Sequence, residues 1–445
     1  MNQGPILPNL LRYCIPMMLS GVLQLLFNAA DISVAGQYIS ELELAAIGAT
    51  ATLINLLINL LVGLSVGVSV CLGRSYGVGD GQSVRRIVHN AMLLAAACGA
   101  VISLVSFFGA EMLLGLMKVP EHLLPLGTQY LRIYACGMMG SALFNYGSAV
   151  LRATGDIRRP MYCLAVSCGL NFGLNHLFVR VFHMGLEGVA LATTLSLWVM
   201  GILTVLCMMR SEGTLQFRFR HLRPHGKTLR KILGIGIPAG AQGIFFPLSN
   251  IVLQTYINAF GATVIAANSA ACNIESFVYQ AMNGFYHGCM AFVSCNVGAG
   301  NRKRVWQVFR QSMLGVTVTG LVLGLGMVFL GRPLLGIYTP SEEVIKQGLL
   351  RFLFTGIPYF LCGLMEVVVG MLRGLGSSMT PMILSVLGVC GVRIAWVMTV
   401  FQAEQFHRVD AVYFSYPLSW AVALIAQSVW LVMLTKRLRK KEHIL

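Results

Sequence analysis

Charge is what this 445-residue chain has least of. Asp, Glu, Lys and Arg together make up 11% of it, with 16 acidic residues against 32 basic ones. Soluble domains run near a quarter charged, so a water-soluble globular fold is excluded. Twelve cysteines are present, but none form Cys-x-x-Cys or a zinc spacing. They read as small apolar packing residues rather than redox or metal groups. No His-Glu-x-x-His and no paired catalytic His/Asp motif occurs, which leaves no basis for an intramembrane enzyme. Gly-Val-Gly-Asp-Gly at 77–81 lacks the strand-turn-helix setting that a phosphate-binding loop needs. No short apolar stretch ends in a cleavage-like site, and Pro16 interrupts the first apolar run, so a cleaved signal peptide is not expected.

What is there is hydrocarbon-compatible sequence. Apolar residues make up 56% and mean hydropathy is +0.75. The charges lie between apolar stretches of roughly 20 residues, each long enough to cross the bilayer as a helix; a β-barrel would show short alternating segments instead. The chain is therefore expected to be an all-α polytopic membrane protein. Twelve spans are predicted, at 13–36, 44–73, 88–116, 125–151, 161–182, 188–209, 232–258, 264–295, 311–338, 348–371, 381–402 and 411–435. The second and eighth are long enough to project beyond the membrane. The 48 glycines suit closely packed membrane helices.

The sequence also repeats itself. Leu-Arg-Ala-Thr-Gly-Asp-Ile-Arg-Arg-Pro-Met at 151–161 returns at 372–382 as Leu-Arg-Gly-Leu-Gly-Ser-Ser-Met-Thr-Pro-Met, 221 positions later. Gly63-x3-Gly67-x9-Gly77-x-Gly79 returns at the same offset as Gly284-x3-Gly288-x9-Gly298-x-Gly300. Two matches at one offset indicate a duplicated chain, and in a membrane protein this suggests a transporter with its site between related lobes. The lobes are expected at 1–209 and 232–435, joined by a polar linker at 210–231, with a basic tail at 436–445. In each motif the glycine permits a tight turn and the proline suits the first turn of the next helix. Arg152 and Arg373 are expected at the cytoplasmic face, capping carbonyls or binding lipid phosphate.

The excess of positive charge is not a nucleic-acid signal, because it alternates with the spans. Even-numbered connections carry Arg74, Arg85, Arg86; Arg152, Arg158, Arg159; seven residues between Arg210 and Lys231; Arg302, Lys303, Arg304, Arg310; and Arg373. With Arg12 and Lys436, Arg437, Arg439, Lys440 and Lys441, these make 24 of the 32 basic residues. The positive-inside rule then places both termini and the linker in the cytoplasm of a multi-pass protein of the cell (inner) membrane. Six spans per copy give both halves one orientation, as in parallel repeats.

Leu-Arg-[Ala/Gly]-x-Gly-x4-Pro-Met in both halves, with Gly-x-Gly after the second and eighth spans, resembles the multidrug and toxic compound extrusion (MATE) family. Asp31 before Val34-Ala35-Gly36, Asn171-x3-Asn175, and Gly185-x2-Gly188 leading to Thr193 extend the likeness over essentially the whole chain. Tyr416-Pro-Leu-Ser-Trp420 looks like the bacterial branch. The resemblance implies two six-helix bundles related by a pseudo-two-fold, acting as an antiporter that expels small, mostly cationic organic compounds. A sodium or proton gradient would drive it, with no cofactor, and a monomer embedded in lipid is expected. A lipid-linked oligosaccharide flippase of related fold is the alternative. That function needs a cationic cavity, whereas intramembrane Arg looks nearly limited to Arg393.

Ionisable groups within the spans are few, and each is costly enough to face a cavity or a partner. Asp31 shares a helix face with Gln24 and Asn28, and Asn171 and Asn175 lie one turn apart. A carboxylate, amide oxygens and a hydroxyl are hard ligands for a small cation, and a buried carboxylate can also carry a proton. The resemblance makes Asp31, Asn171, Asn175 and Thr193 the first lobe's cation site, with sodium as the candidate metal; the alternative is that Asp31 is a hydrogen-bonded packing residue. Many relatives have Asp where this chain has Asn175, so one charge is missing. In the second lobe Glu275 or Glu366 either pairs with Arg393 or forms a substrate or cation site. Asn250 takes the place of Asn28, and Leu253 that of Asp31. His176 and His287 are read as packing groups, and aromatic and Met residues such as Met138, Phe144, Phe245 and Met282 as candidate cavity lining.

Overall fold

The computed structural model describes residues 1–440; the last part of the basic tail, 441–445, lies outside the described residues. Helices follow one another along the chain, and no strand occurs among the described residues. The first half comprises α1 (Ile6–Tyr38), α2 (Glu41–Val78), α3 (Gly81–Phe108), α4 (Ala110–Leu116), α5 (Leu124–Ala135), α6 (Met138–Ala153), α7 (Arg158–Asn175) and α8 (Gly185–Met209). The second comprises α9 (Gly226–Asn258), α10 (Ala262–Gly298), α11 (Arg302–Phe329), α12 (Gly331–Gly336), α13 (Glu342–Thr355), α14 (Tyr359–Gly374), α15 (Met379–Ser385), α16 (Val392–Met398) and α17 (Val409–Lys440). A π turn at His176–Val181 continues α7, and another at Val386–Gly391 joins α15 to α16.

These elements give the twelve predicted spans. Among the described residues nine helices, counting α7 and α15–α16 with their π turns, are long and apolar enough to cross a bilayer; α13 and α14, bent by 47°, make a tenth. The other two are less apolar or broken. α10 carries Asn268, Asn273, Glu275, Gln280 and Asn283, and α5 and α6 are separate pieces meeting at Cys136 and Gly137. The second and eighth spans are indeed the long ones, at 38 and 37 residues. Ser65, within Gly63-Leu-Ser-Val-Gly67, has the spelling of a hydrolase nucleophile motif. It sits inside α2 and donates to its own helix at Val62 O, 2.7 Å away, so it is no exposed elbow.

The duplication is visible as identical backbone geometry. Gly155 and Gly376 both have positive φ, +97° and +84°, where a side chain would be strained. After α6, Gly155 N donates to Arg152 O and Asp156 N to Leu151 O; after α14, Gly376 N donates to Arg373 O and Ser377 N to Leu372 O. Both are Schellman closures. Gly79 and Gly300 likewise end α2 and α10 at φ +81° and +68°. The next residue in each case, Asp80 or Asn301, caps the following helix through its side chain.

The chain forms two compact units, and their boundaries do not fall in the linker. One contains Leu19–Gly240; the other contains Met1–Met18 with the chain from Ala241 onward. Residues 1–18 thus group with the second half, and 232–240 with the first. Repeated glycines explain the exchange. In the first unit Gly63 and Gly67 of α2 leave no room for a Cβ against Gly240 and Ile232 of α9. In the other unit Gly284 and Gly288 of α10 meet Cys14, Met18 and Leu10 of α1. The linker itself is tied to the first unit: Phe217 is buried, Arg218 N donates to His89 Nε2 at 3.3 Å, and His225 N to Asn90 Oδ1 at 2.9 Å.

Candidate functional site

In the unit Leu19–Gly240, α1, α7 and α8 bring four predicted residues together. Asp31 Oδ1 accepts hydrogen bonds from Asn171 Nδ2 at 3.0 Å and Asn175 Nδ2 at 2.7 Å, and Oδ2 from Thr193 Oγ1 at 2.9 Å. Asn175 Nδ2 also lies 3.2 Å from Asn171 Oδ1. Asn171 and Asn175 are fully buried and Asp31 is 7% exposed. Within this cluster Asn175 Oδ1 has no hydrogen-bond partner. The one-turn spacing in α7 aims both amides at the same carboxylate, and the π turn begins immediately after Asn175. Tyr130 and Tyr134 of α5, which the sequence reading did not single out, stand close enough to feel the Asp31 charge. Asn28 is not part of the cluster: it is exposed and makes no hydrogen bond among the described residues.

The donor set fits a small hard cation or a proton. Two amide oxygens, a hydroxyl and one carboxylate are oxygen ligands, whereas no group of three His, Cys, Asp or Glu that could hold a metal occurs among the described residues. In the observed arrangement both amides present N–H to Asp31. Turning the amides over would present Asn171 Oδ1 and the unused Asn175 Oδ1 instead.

The other unit departs from expectation. Glu275 pairs not with Arg393 but with Arg351 of α13, through Nε at 2.9 Å and Nη2 at 2.7 Å. Asn268 accepts from the same guanidinium, Thr355 Oγ1 donates to Glu275 at 2.7 Å, and Tyr413 and Tyr416 flank the arginine. Removing one partner of such a buried, hydrogen-bonded pair would strand the other's charge. Glu366 is 7% exposed and has neither an ion-pair nor a hydrogen-bond partner among the described residues, although Arg373 and Tyr279 lie near it. Arg373, in the last turn of α14, is 5% exposed and donates to Tyr286 Oη and to Gln242 Oε1 at 2.8 Å. The bent candidate span α13–α14 contains Arg351, so Arg393 is not alone among arginines inside the spans. Arg351 lies within Leu-Leu-Arg-Phe-Leu-Phe, and a single charge in that apolar run was the signal available for it. The His176 ring lies against that of Phe172.

A family model described as MatE matches residues 16–177 and 238–398. The chain belongs to the MATE family. It is 26% identical over 401 residues to the probable multidrug resistance protein NorM of Thermotoga maritima, covering 88% of this chain and 85% of that one. It is 24% identical to the probable multidrug resistance protein YoeA of Bacillus subtilis, covering 94% and 93%. Among solved structures, an outward-facing multidrug resistance MATE family transporter of the MOP superfamily superposes with a TM-score of 0.91 at 20% identity, over 98% of this chain and 97% of that one. A MOP superfamily transporter from Pyrococcus furiosus Vc1 matches with the same TM-score, identity and coverage. The twelve-helix, two-bundle arrangement is thus the MATE fold, and MATE proteins are transporters rather than enzymes. Nothing in these likenesses favours the flippase alternative.

Proposed function

We propose that this MATE protein is an ion-coupled antiporter that exports small amphipathic, mainly cationic organic compounds across the cell membrane, with Asp31 as the coupling residue. The carrying observation is the closed cage around Asp31, in which every oxygen of one buried carboxylate is held by Asn171, Asn175 or Thr193. A bare carboxylate at this depth needs those donors. A sodium ion or a proton would replace them by neutralising the charge directly, so the cage has two self-consistent states, ion-free and ion-bound. Switching between them is the differential interaction that coupling requires. The names of the relatives, multidrug resistance proteins, support a broad substrate range.

On this reading the termini and the 210–231 linker are cytoplasmic, the protein works as a monomer among lipids, and no cofactor takes part. The test is reconstitution into liposomes with an imposed sodium or proton gradient. A fluorescent organic cation should move uphill under one of them and stop when the gradient is collapsed. Dye movement that ignores both gradients would remove antiport from the account.

A further inference from the structure

The internal repeat places a charge of the opposite sign at the second unit's counterpart of the Asp31 cage. The π turn at Val386–Gly391 accommodates an extra residue, so the repeat offset of 221 before it becomes 222 after it. After it, Arg393 answers Asn171; in α9, ahead of the turn, Asn250 and Leu253 stand 222 positions after Asn28 and Asp31. Where the first unit buries a carboxylate fed by amide N–H groups, the second buries a guanidinium fed by oxygens.

Arg393 is 5% exposed. Its Nε donates to Ser419 Oγ at 2.9 Å and its Nη1 to Asn250 Oδ1 at 3.0 Å. The Nη2 group has no acceptor and the side chain no carboxylate partner among the described residues. The ionisable groups around it are Tyr416, Cys362, Cys390 and Arg351. Glu275 is committed to Arg351. The guanidinium carbon stands 4.3 Å from the Tyr416 ring centre and 6.0 Å from that of Trp420, which offsets only part of the missing counter-charge. A buried charge without a partner is costly. Asn250, which accepts from Nη1, is exposed, so the guanidinium lies next to an accessible polar side chain.

We propose that the second unit carries a binding site for an aromatic carboxylate, centred on Arg393. The carboxylate would take the free side of the guanidinium fork, a geometry that suits two parallel N–H···O bonds. Asn250 and Ser419 hold the fork in place, and the ring of the ligand packs against the accessible edge of the half-buried Tyr416. The site concerns this unit alone and does not rest on the ion-coupling reading.

The full-length protein in phosphatidylcholine nanodiscs provides the test, with calorimetric titration of 1-naphthoate and, as its cationic counterpart, 1-naphthylmethylammonium. Naphthoate should bind the wild type, weaken at least tenfold in Arg393→Gln and by a smaller factor in Arg393→Lys, which keeps the charge but loses the fork. The ammonium probe should be unaffected by either change. Where Arg393→Gln fails to fold, Tyr416→Leu should also weaken naphthoate binding. Folded wild type that does not bind naphthoate at millimolar concentration overturns the proposal, as does equal binding by Arg393→Gln. Naphthoate binding that disappears when phosphatidylglycerol replaces part of the phosphatidylcholine would assign Arg393 to a lipid headgroup and overturn a small-molecule site.

Discussion

Asp31 is held by side chains 140 to 162 residues away in sequence, and what grouped them beforehand was the family resemblance; the residues alone offered less. Asn171 and Asn175 repeat at one helical turn, and Asp31 is a lone carboxylate in an apolar run. In Asp31→Asn the new amide can present its oxygen to one donor but sets an N–H₂ against others, which costs about 1–3 kcal/mol where it stays unmatched. The variant should insert and purify normally while gradient-driven export in liposomes falls to the leak level; wild-type export would make Asp31 a packing residue. Asn175→Asp should act in the other direction. A second carboxylate about 4 Å from a bound monovalent ion adds about 4 kcal/mol of attraction at an effective dielectric near 20. Two carboxylates sharing one site titrate as a pair. The variant should therefore bind the coupling cation more tightly, acquire a new pH dependence and turn over more slowly. Unchanged ion and pH profiles would remove residue 175 from the ion site. Arg351 shows where sequence reading stops: its bond to Glu275 spans 76 residues, and neither neighbourhood encodes it.

At the level of elements the helices were legible because apolar run length is a one-dimensional property, and so were the turns, since only glycine readily takes the left-handed positions at 155 and 376. The two π turns were not legible; they depend on packing across helices rather than on composition. The glycines of α2 were read as packing residues without a partner, and the structure supplies one. Gly67 faces Ile232 O of α9 with no space for a side chain, whereas Gly48 in the same helix has open space. Gly67→Leu should thus force the helices apart and cost about 1–3 kcal/mol, while Gly48→Leu should be close to neutral. Fluorescence-detected size exclusion after heating reports both: the melting temperature should fall by several degrees in the first variant only. Equal stability of the two would mean that α9 does not pack tightly at Gly67.

For the whole molecule, the alternation of basic residues predicts an orientation and the exchange of helix segments predicts an assembly rule. Arg220 is exposed in the linker. In a cysteine-free background, Arg220→Cys should react with an impermeant maleimide only after the cells are permeabilised; labelling of intact cells would invert the topology. The assembly rule follows from which residues complete each unit. Ile232 and Gly240 of α9 fill the groove at Gly63 and Gly67, and Leu10, Cys14 and Met18 of α1 fill the one at Gly284 and Gly288. A cut between Arg223 and Pro224 therefore leaves each fragment carrying a segment that belongs to the other unit and missing one of its own. The groove left open in each fragment would expose backbone and apolar surface that the intact chain buries. Fragments 1–223 and 224–445 should each aggregate when expressed alone. Expressed together, they should co-purify in equal amounts and recover gradient-driven export. A stable, monodisperse 1–223 fragment would show that the exchanged α9 segment is not needed to complete its unit.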